Sequence, residues 1–417
     1  MTKPRSVQKA NSYQFLSNTM NKFALPPREL RRLFLSAVAV VALCPCLRSE
    51  TPDPVLMIPL NGKDLPIMVK RPNLLDAIPS ADSAEYKRIA AVVQQVAKAT
   101  ENRVAISAVY LNLAEGNIAY FLTFADRATA AKDLAALAAD FKNRKGERIG
   151  GVFAGGYNQP GGLGPKDLAL LAEQPELREL QLWGCDLGDG FKSLARMKRL
   201  ENLALCQCRS SDARLDFLAE LPLLRKLRLE GLPLDAATFG NLKSLTRLTS
   251  LSLDNTSFDD AGALALKDLV NLRFLNANGT KVTDAGTAHW AKLVNLELIG
   301  LSNTAVTDKT LESIKDATEL SSINLNGTKV TGVGFKHLGR MPKLFNFGVR
   351  DTPLDGEELI RNAKSVSGSG KVMINTGGTQ LTADQVRRYA ELREYGEFFT
   401  PAGGLIESWN PAPEPKK

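Results

Sequence analysis

The sequence predicts an α/β solenoid: parallel strands stacked along a concave face, helices on the convex face, and a small α+β unit at the N-terminal end. Three observations predict it. The hexamers "LRELQL", "LENLAL", "LRKLRL", "LTSLSL", "LRFLNA", "LELIGL", "LSSINL" and "LFNFGV" begin at Leu177, Leu200, Leu224, Leu248, Leu272, Leu296, Leu320 and Leu344. The first interval is 23 residues and the next six are 24. Each hexamer opens a unit reading L-x-x-L-x-L-x-x-(C/T)-x-(L/V), followed by a polar turn and an apolar helical half. A fixed period of this length marks a repeat architecture.

The physics of one unit explains why it must be stacked. In "LTSLSLDNTSF", Leu251 and Leu253 are two residues apart and share one face of a strand. In "DAGALALKDLVN", Ala261, Leu264, Ala265 and Leu269 fall at near-helical spacing and predict the inward face of a helix. One strand and one short helix cannot bury these faces alone, whereas stacked copies can. The match to the pattern spans 149–381, with "IGGVFA" at Ile149 as a degenerate first strand and "KVMINTGGTQL" as a last copy with an extra residue.

These motifs resemble the leucine-rich repeat family. The resemblance implies a right-handed solenoid and a fixed inward position after each strand that satisfies backbone groups where the chain turns. In this sequence that position is Cys185, Cys208, Leu232, Thr256, Thr280, Thr304, Thr328 and Thr352. Leu232 has no hydrogen-bonding group, so the ladder is expected to weaken there. The following "VTD" segments place Val282, Val306 and Val330 in the core. They also put Thr283 with Asp284, and Thr307 with Asp308, where a helix N-cap is wanted. The recurring "TKVTDAG" is read as scaffold.

The flanking regions have other textures. Within 51–148, "VLMIPLNGKDLPIMV" carries Asn61-Gly62 between apolar runs, a hairpin signal. An amphipathic helix over 83–100, two strands over 104–124 and a second helix at "RATAAKDLAALAADFKN" complete a unit that either caps the first open edge of the solenoid or binds independently. A capping helix is expected in 382–400, and a mobile Pro-rich tail in 401–417. Residues 1–46 read as an export leader: a basic flank ending in "RELRR", the uncharged run "LFLSAVAVVALC" (33–44), and cleavage after Cys46. The run is shorter than the roughly 20 residues a membrane span needs. The expected location is the periplasm, the cell envelope or the exterior. The alternatives are an uncleaved tether and a buried N-terminal helix.

Composition narrows function. The formal charge is +8, from 53 basic and 45 acidic groups, but the leader holds seven basic groups and one acid. The remainder balances at +2, which sets nucleic-acid binding aside. The two histidines, His289 and His337, sit two whole repeats apart on the convex side, which does not suggest a Ser–His–Asp or Cys–His device. "CQC" resembles a metal pair only superficially: Cys206 should face the concave side and Cys208 the core. Cys185 and Cys208 read as buried free thiols, with a bridge between neighbouring repeats as the alternative. No phosphate-binding glycine loop, zinc spacing or cofactor motif is present in the sequence.

What remains is the concave face, formed by the third, fifth and seventh residue of each unit. Aromatic and arginine anchors favour interfaces. Trp183, Arg228, Phe274 and Arg350 are therefore the leading contact candidates for a protein ligand, with Glu230, Asn276, Asn278, Asn324 and Asn326 beside them. The expected function is non-enzymatic protein binding. Two alternatives stand. One follows from similarity to F-box leucine-rich repeat proteins, which implies a cytosolic subunit recruiting substrates to a ubiquitin ligase. The other is an activity in 51–148, where Asp82, Glu85 and Asp126 supply carboxylates.

Overall fold

The computed structural model describes residues 54–70, 79–112, 117–156, 159–211, 214–365, 372–392, 398–399 and 405–406. All of them belong to one unit, Ser49–Lys417. The leader expected over 1–46 lies outside the described residues.

Each leucine hexamer becomes one strand of a parallel ladder. The strands are β6 (Glu179–Trp183), β7 (Asn202–Cys206), β8 (Lys226–Arg228), β9 (Ser250–Ser252), β10 (Phe274–Asn276), β11 (Leu298–Gly300), β12 (Ser322–Asn324) and β13 (Asn346–Gly348). The register copies the sequence period, Ser250 facing Phe274 and Phe274 facing Leu298. The leucines at the first, fourth and sixth positions turn away from solvent: Leu248, Leu251 and Leu253 are each 0 % exposed. β14 (Met373–Asn375) continues the ladder, with Met373 opposite Asn346. That interval is 27 residues, so the added residues precede the strand; the unit "KVMINTGGTQL" itself carries no extra one.

The backbone ladder runs past the labelled strands, Leu253 N donating to Asn276 O at 2.8 Å and Asn255 N to Asn278 O at 2.8 Å. The eighth position then turns left-handed in every repeat. It is filled alternately by Gly231, Asn255, Gly279, Asn303, Gly327, Asp351 and Gly378, all at positive φ. Gly and Asn tolerate that region best. The alternation has a second cause. A Cβ at Gly279 would lie 2.4 Å from Asn255 Oδ1, and one at Gly327 2.3 Å from Asn303 Oδ1. Each amide thus lies across the next repeat's glycine, which gives the 24-residue repeat a 48-residue period.

On the convex side the helices are short: α3 (Pro165–Leu171), α4 (Phe191–Leu194), α5 (Asp260–Leu264), α6 (Asp284–Thr287), α7 (Asp308–Ser313) and α8 (Gly356–Arg361) once α1 and α2, described below, are numbered, with 3-10 turns at Asp216–Glu220, Ala236–Ser244 and Val333–Arg340. The inward face expected for α5 is corrected. Ala261 and Leu264 are exposed, while Ala263, Leu266 and Leu269 are buried. The helix stops after five residues, so a helical period carried through to Leu269 assigns the wrong face. Val282, Val306 and Val330 are fully buried. Thr283 and Thr307 are N-caps, accepting from Ala285 N at 3.2 Å and Lys309 N at 3.3 Å.

The aspartates that follow the caps Asp259, Thr283 and Thr307 bridge repeats. Asp260 Oδ1 accepts from Thr283 N at 2.7 Å and Gly286 N at 3.0 Å, and Oδ2 from the Thr283 hydroxyl at 2.7 Å. Asp284 takes Thr307 N (2.9 Å), the Thr307 hydroxyl (2.7 Å) and the Thr310 hydroxyl (2.8 Å). Asp308 takes Thr331 N and hydroxyl (both 2.8 Å), Gly332 N (3.0 Å) and Gly334 N (2.8 Å).

The N-terminal region continues the same sheet. β1 (Val55–Leu60) and β2 (Lys63–Lys70) pair as an antiparallel hairpin across Asn61-Gly62, both at positive φ. α1 (Ala84–Ala99) begins at the Ser83 cap, and β2 lies parallel to β3 (Val104–Asn112). β3 is antiparallel to β4 (Asn117–Phe124). After α2 (Ala130–Lys142), β5 (Glu147–Ala154) runs parallel to both β4 and β6. At the other end α9 (Ala383–Glu391) is followed by β15 (Phe398–Phe399), parallel to β14, and β16 (Leu405–Ile406), antiparallel to β15. β16 falls inside the segment expected to be a mobile tail. The result is one mixed sheet of sixteen strands in chain order. Among the described residues, no helix is long and apolar enough to cross a membrane.

Candidate functional site: the concave face

Alternation along each strand sends the third, fifth and seventh residues to the concave side, and the two ends of that face differ. At the N-terminal end it is closed by its own side chains. Phe121 lies across Gly151, where a Cβ would meet its ring at 2.2 Å, and the Lys70 ammonium stands 4.3 Å from that ring. Lys70 is ion-paired with Glu179, which also accepts from Gln181 Nε2 at 2.9 Å and Asn202 Nδ2 at 2.6 Å. Burial pushes the Glu179 carboxyl up, but Lys70 and the amide donors outweigh it and hold the group below the usual carboxylate range.

Next to this cluster, Trp183 packs with Ala204 and Cys206. The Arg228 guanidinium, two strands away, reaches over these small residues and sits 5.2 Å from the indole. Arg228 is itself paired with Glu230 at 2.8 Å. Trp183, expected as an accessible anchor, is only 6 % exposed. The alternation rule gave the face correctly; it could not show that the small residues of β7 leave room for Arg228 to fold down as a roof.

From β9 onward the face is made of Ser, Asn and Gly around Phe274 and Leu298, with Asp254 and Arg350 as its charged residue types. Asp254 Oδ1 accepts from Asn278 N at 2.8 Å and Nδ2 at 3.1 Å. Burial pushes the Asp254 carboxyl above its ordinary range, and the Asn278 donors only partly offset this. Asn278 Oδ1 accepts from Ser302 N at 2.7 Å, and Asn326 Oδ1 from Arg350 N at 2.7 Å. Asn278 and Asn326 therefore use their oxygens to hold the strand ends together. Asn276 lies over Gly300 and Asn324 over Gly348, with amide oxygens 2.5 and 2.9 Å from where a Cβ would stand. Phe274, Asn276, Asn278, Asn324 and Asn326 are half-buried and Arg350 is exposed. Among the described residues, the buried Ser252 and Ser302 hydroxyls have no hydrogen-bond partner.

The inward ladder runs beneath this strip. The hydroxyls of Thr256, Thr280, Thr304, Thr328 and Thr352 each donate to the carbonyl three residues back, at 2.7, 2.6, 2.6, 2.6 and 2.8 Å. Thr379 repeats the contact with Thr376 at 2.7 Å; a strict 24-residue ruler steps past it. Leu232 is buried at the same position. Cys185 and Cys208 are free and buried. The hydrogen bond between their thiols holds Cys185 below and Cys208 above the ordinary thiol range. Cys206 and Cys208 part as expected, the first into the Trp183 cluster and the second into the main core.

Elsewhere, His289 is exposed and His337 half-buried on the convex side. Burial and the neighbouring Lys336 hold His337 below the usual imidazole range. Of the three carboxylates singled out near the N-terminus, Asp82 is exposed, Glu85 lies in the first turn of α1, and Asp126 accepts from Ala128 N at 3.0 Å and the Thr129 hydroxyl at 3.1 Å. Asp126 also lines a shallow cleft of about 480 Å³ with Arg127, Asp186 and Arg209. Among the described residues, no group of three or more His, Cys, Asp or Glu side chains is placed to hold a metal.

A parallel ladder of one strand per 24 residues, leucines inside and a hydroxyl ladder at the turn, defines a leucine-rich repeat solenoid. Solenoids of this class present extended concave binding surfaces. No protein-family description matches the chain, and no curated protein matches it in sequence. Solved structures do. Internalin C2 from Listeria monocytogenes is 20 % identical over 52 % of this chain and 84 % of its own, with a TM-score of 0.41. A leucine-rich repeat protein of Leptospira interrogans is 14 % identical over 60 % and 69 %, TM-score 0.37. A plant peptide hormone receptor, RGFR1, solved in complex with RGF2, is 16 % identical over 55 % and 38 %, TM-score 0.40. At these values the likeness bears on fold alone, and the fold assignment rests on the chain's own register.

Proposed function

We propose that this chain is a non-enzymatic binding protein, exported by its leader, that presents the C-terminal half of its concave face to a protein partner. The observation that carries the reading is the strip from Phe274 to Arg350. There Phe274, Asn276, Asn324 and Asn326 remain half-accessible and Arg350 exposed along one continuous face, while the face from Glu179 to Arg228 is filled by its own ion pairs and stacked rings. Phe274 and Arg350 are the residue types that anchor interfaces. Export rests on the basic flank and the uncharged run of residues 33–44.

Cross-linked capture from native cells tests this, comparing the tagged full chain with Phe274→Ala/Arg350→Glu and with the convex control Lys292→Ala. Mass spectrometry identifies partners and the mature N-terminus together. A protein captured by wild type and control, lost from the concave variant, on chains starting near residue 47, is the expected result. Loss of two anchors of about 2 kcal/mol each corresponds to a more than hundredfold weakening. Equal capture by all three folded proteins would overturn the concave site, and an intact N-terminus would overturn cleavage of the leader.

A further inference from the structure

Two buried nucleophilic groups take no part in the concave strip: Cys185 and Cys208, from neighbouring repeats and each 1 % exposed. The register sets them opposite one another. Asp186 and Arg209 form a parallel bridge, with Arg209 N donating to Cys185 O at 2.8 Å and Leu187 N to Arg209 O at 2.7 Å. The residues just before that bridge therefore stand one strand spacing apart, about 4.8 Å. Disulfide-linked residues have Cα atoms about 4.4–6.8 Å apart.

The sulfurs also converge. In the later repeats each ladder hydroxyl donates to the carbonyl three residues back, as Thr256 does to Leu253 O. By that rule Leu182 O belongs to Cys185 and Leu205 O to Cys208. Instead Cys208 Sγ lies 3.5 Å from Leu182 O, in the neighbouring repeat, and Cys185 Sγ lies 3.6 Å from Trp183 O. Both thiols gather at the end of one strand, β6, where a hydrogen bond joins them. Cys206 is held apart, packed with Trp183 and Ala204. Only backbone covers the pair on one side. A Cβ at Gly161 would lie 2.8 Å from Cys185 Sγ, and the cleft of about 480 Å³ is lined by Gly162, Leu163, Gly164 and Gly184 beside this contact.

We infer that Cys185 and Cys208 are a redox pair that closes to an inter-repeat disulfide, tying the repeats of β6 and β7 together at the closed end of the face. The step needs a small disulfide as co-reactant, such as glutathione disulfide. The Cys185 thiolate attacks one of its sulfurs, forming a mixed disulfide and releasing one glutathione thiolate. The Cys208 thiolate then attacks the Cys185 sulfur, and the second glutathione leaves as its thiolate. Two electrons pass from the protein thiols to glutathione, and their two protons end on the two thiolates released. Oxidising compartments keep such a bridge and reducing ones open it. The inference depends on the ladder alone, not on which face binds a partner.

To test it, the full chain is unfolded with reductant and refolded in a mixture of reduced and oxidised glutathione. Its remaining thiols are then alkylated before tryptic mass spectrometry. Cleavage at Arg178, Lys192, Arg199 and Arg209 puts Cys185 on one peptide and Cys206 with Cys208 on another. The expected result is a linked pair of these peptides in the wild type and in Cys206→Ser alike, and none in Cys208→Ser. Oxidised Cys206→Ser should melt several degrees above its own reduced form, because the bridge constrains the unfolded chain between Cys185 and Cys208. Alkylated, unlinked Cys185 and Cys208 in the refolded chain would overturn the inference. So would a link through Cys206, or a bridge that lowers the melting temperature, since either means that the two thiols do not meet in the native ladder. Comparing Cys206→Ser with its own reduced form keeps the test decisive if Cys208→Ser does not fold. Neither readout uses a captured partner or the mature N-terminus, so failure here leaves the binding reading standing.

Discussion

The two ends of the concave face are built from the same 24-residue unit and behave oppositely. Across β6–β8 the face carries Glu179, Trp183, Arg228 and Glu230, and these close on one another through an ion pair, a stacked guanidinium and a buried carboxylate. Across β9–β13 it carries Ser, Asn and Gly with Phe274 and Leu298; Phe274, Asn276, Leu298, Ser322 and Asn324 are half-accessible, while Ser250, Ser252, Gly300 and Gly348 are buried. The glue between repeats differs in parallel. The early repeats are joined by aromatic edges, Phe191 on Phe217 at 5.3 Å and Phe239 on Phe258 at 5.2 Å. The later ones are joined by Asp260, Asp284 and Asp308 reaching into the next repeat. The leucines fix the solenoid and leave the concave and convex columns free to diverge. One end has closed its concave face with its own side chains, and the other leaves Phe274, Asn276, Asn324 and Asn326 half-accessible.

Breaking the closed end should have the largest effect. Lys70→Met leaves Glu179 buried with only amide donors and Lys226 near it, and losing one partner of a buried pair costs about 3 kcal/mol or more. The pH dependence identifies the cause. In the wild type the Glu179 carboxyl is held below its ordinary value. Its contribution is therefore complete above the unfolded pKa of about 4.3 and lost as pH falls through the lower folded value. Melting temperature should fall in that acid window. In Lys70→Met burial dominates, the folded pKa rises, and the acid loss should flatten or reverse. A variant that melts at the wild-type temperature with the wild-type acid slope would show that the pair does not hold this end.

The open end should break at its convex staples instead. Asp308→Ala removes an acceptor for four donors and leaves Gly332 and Gly334 N–H groups short of a partner. A loss of about 2 kcal/mol is expected, read as a lower denaturant midpoint. Asp308→Asn, which keeps one carbonyl, should recover part of it. Equal stability of Asp308→Ala and wild type would mean that leucine packing alone couples these repeats.

How much of this was legible in the sequence follows from which forces are local. The leucine ruler located every strand from β6 to β13, because the burial of one face per strand is written at period two. Asn61-Gly62 located the N-terminal hairpin for a similar reason: two positive φ values in a row need those residues. The inter-repeat work of Asp284 and Asp308 was not legible, since each looks like part of its own helix's cap and its partner lies a whole repeat away. The 48-residue alternation of Gly279 and Gly327 with Asn255 and Asn303 was written in the sequence. A 24-residue consensus averages it out. The roof of Arg228 over Trp183 depends on what the one intervening strand, β7, leaves empty, which no single unit records.

The inward ladder gives the smallest and sharpest comparison, because it crosses both ends. At the open end Thr304 donates to Leu301 O at 2.6 Å from a buried position. Thr304→Val keeps the shape and leaves that carbonyl without its side-chain donor, so a loss of about 1 kcal/mol is expected. At the closed end Leu232 fills the same position with no hydroxyl. Leu232→Thr would supply the donor but remove buried apolar volume, and the second term is the larger: a buried leucine side chain contributes about 2 kcal/mol by transfer alone. The substitution that matches the ladder's own pattern should therefore destabilise, by about 1 kcal/mol net. Melting both variants side by side decides it. If Leu232→Thr proves the more stable protein, the hydroxyl ladder, and not apolar packing, sets the stability of these repeats at both ends.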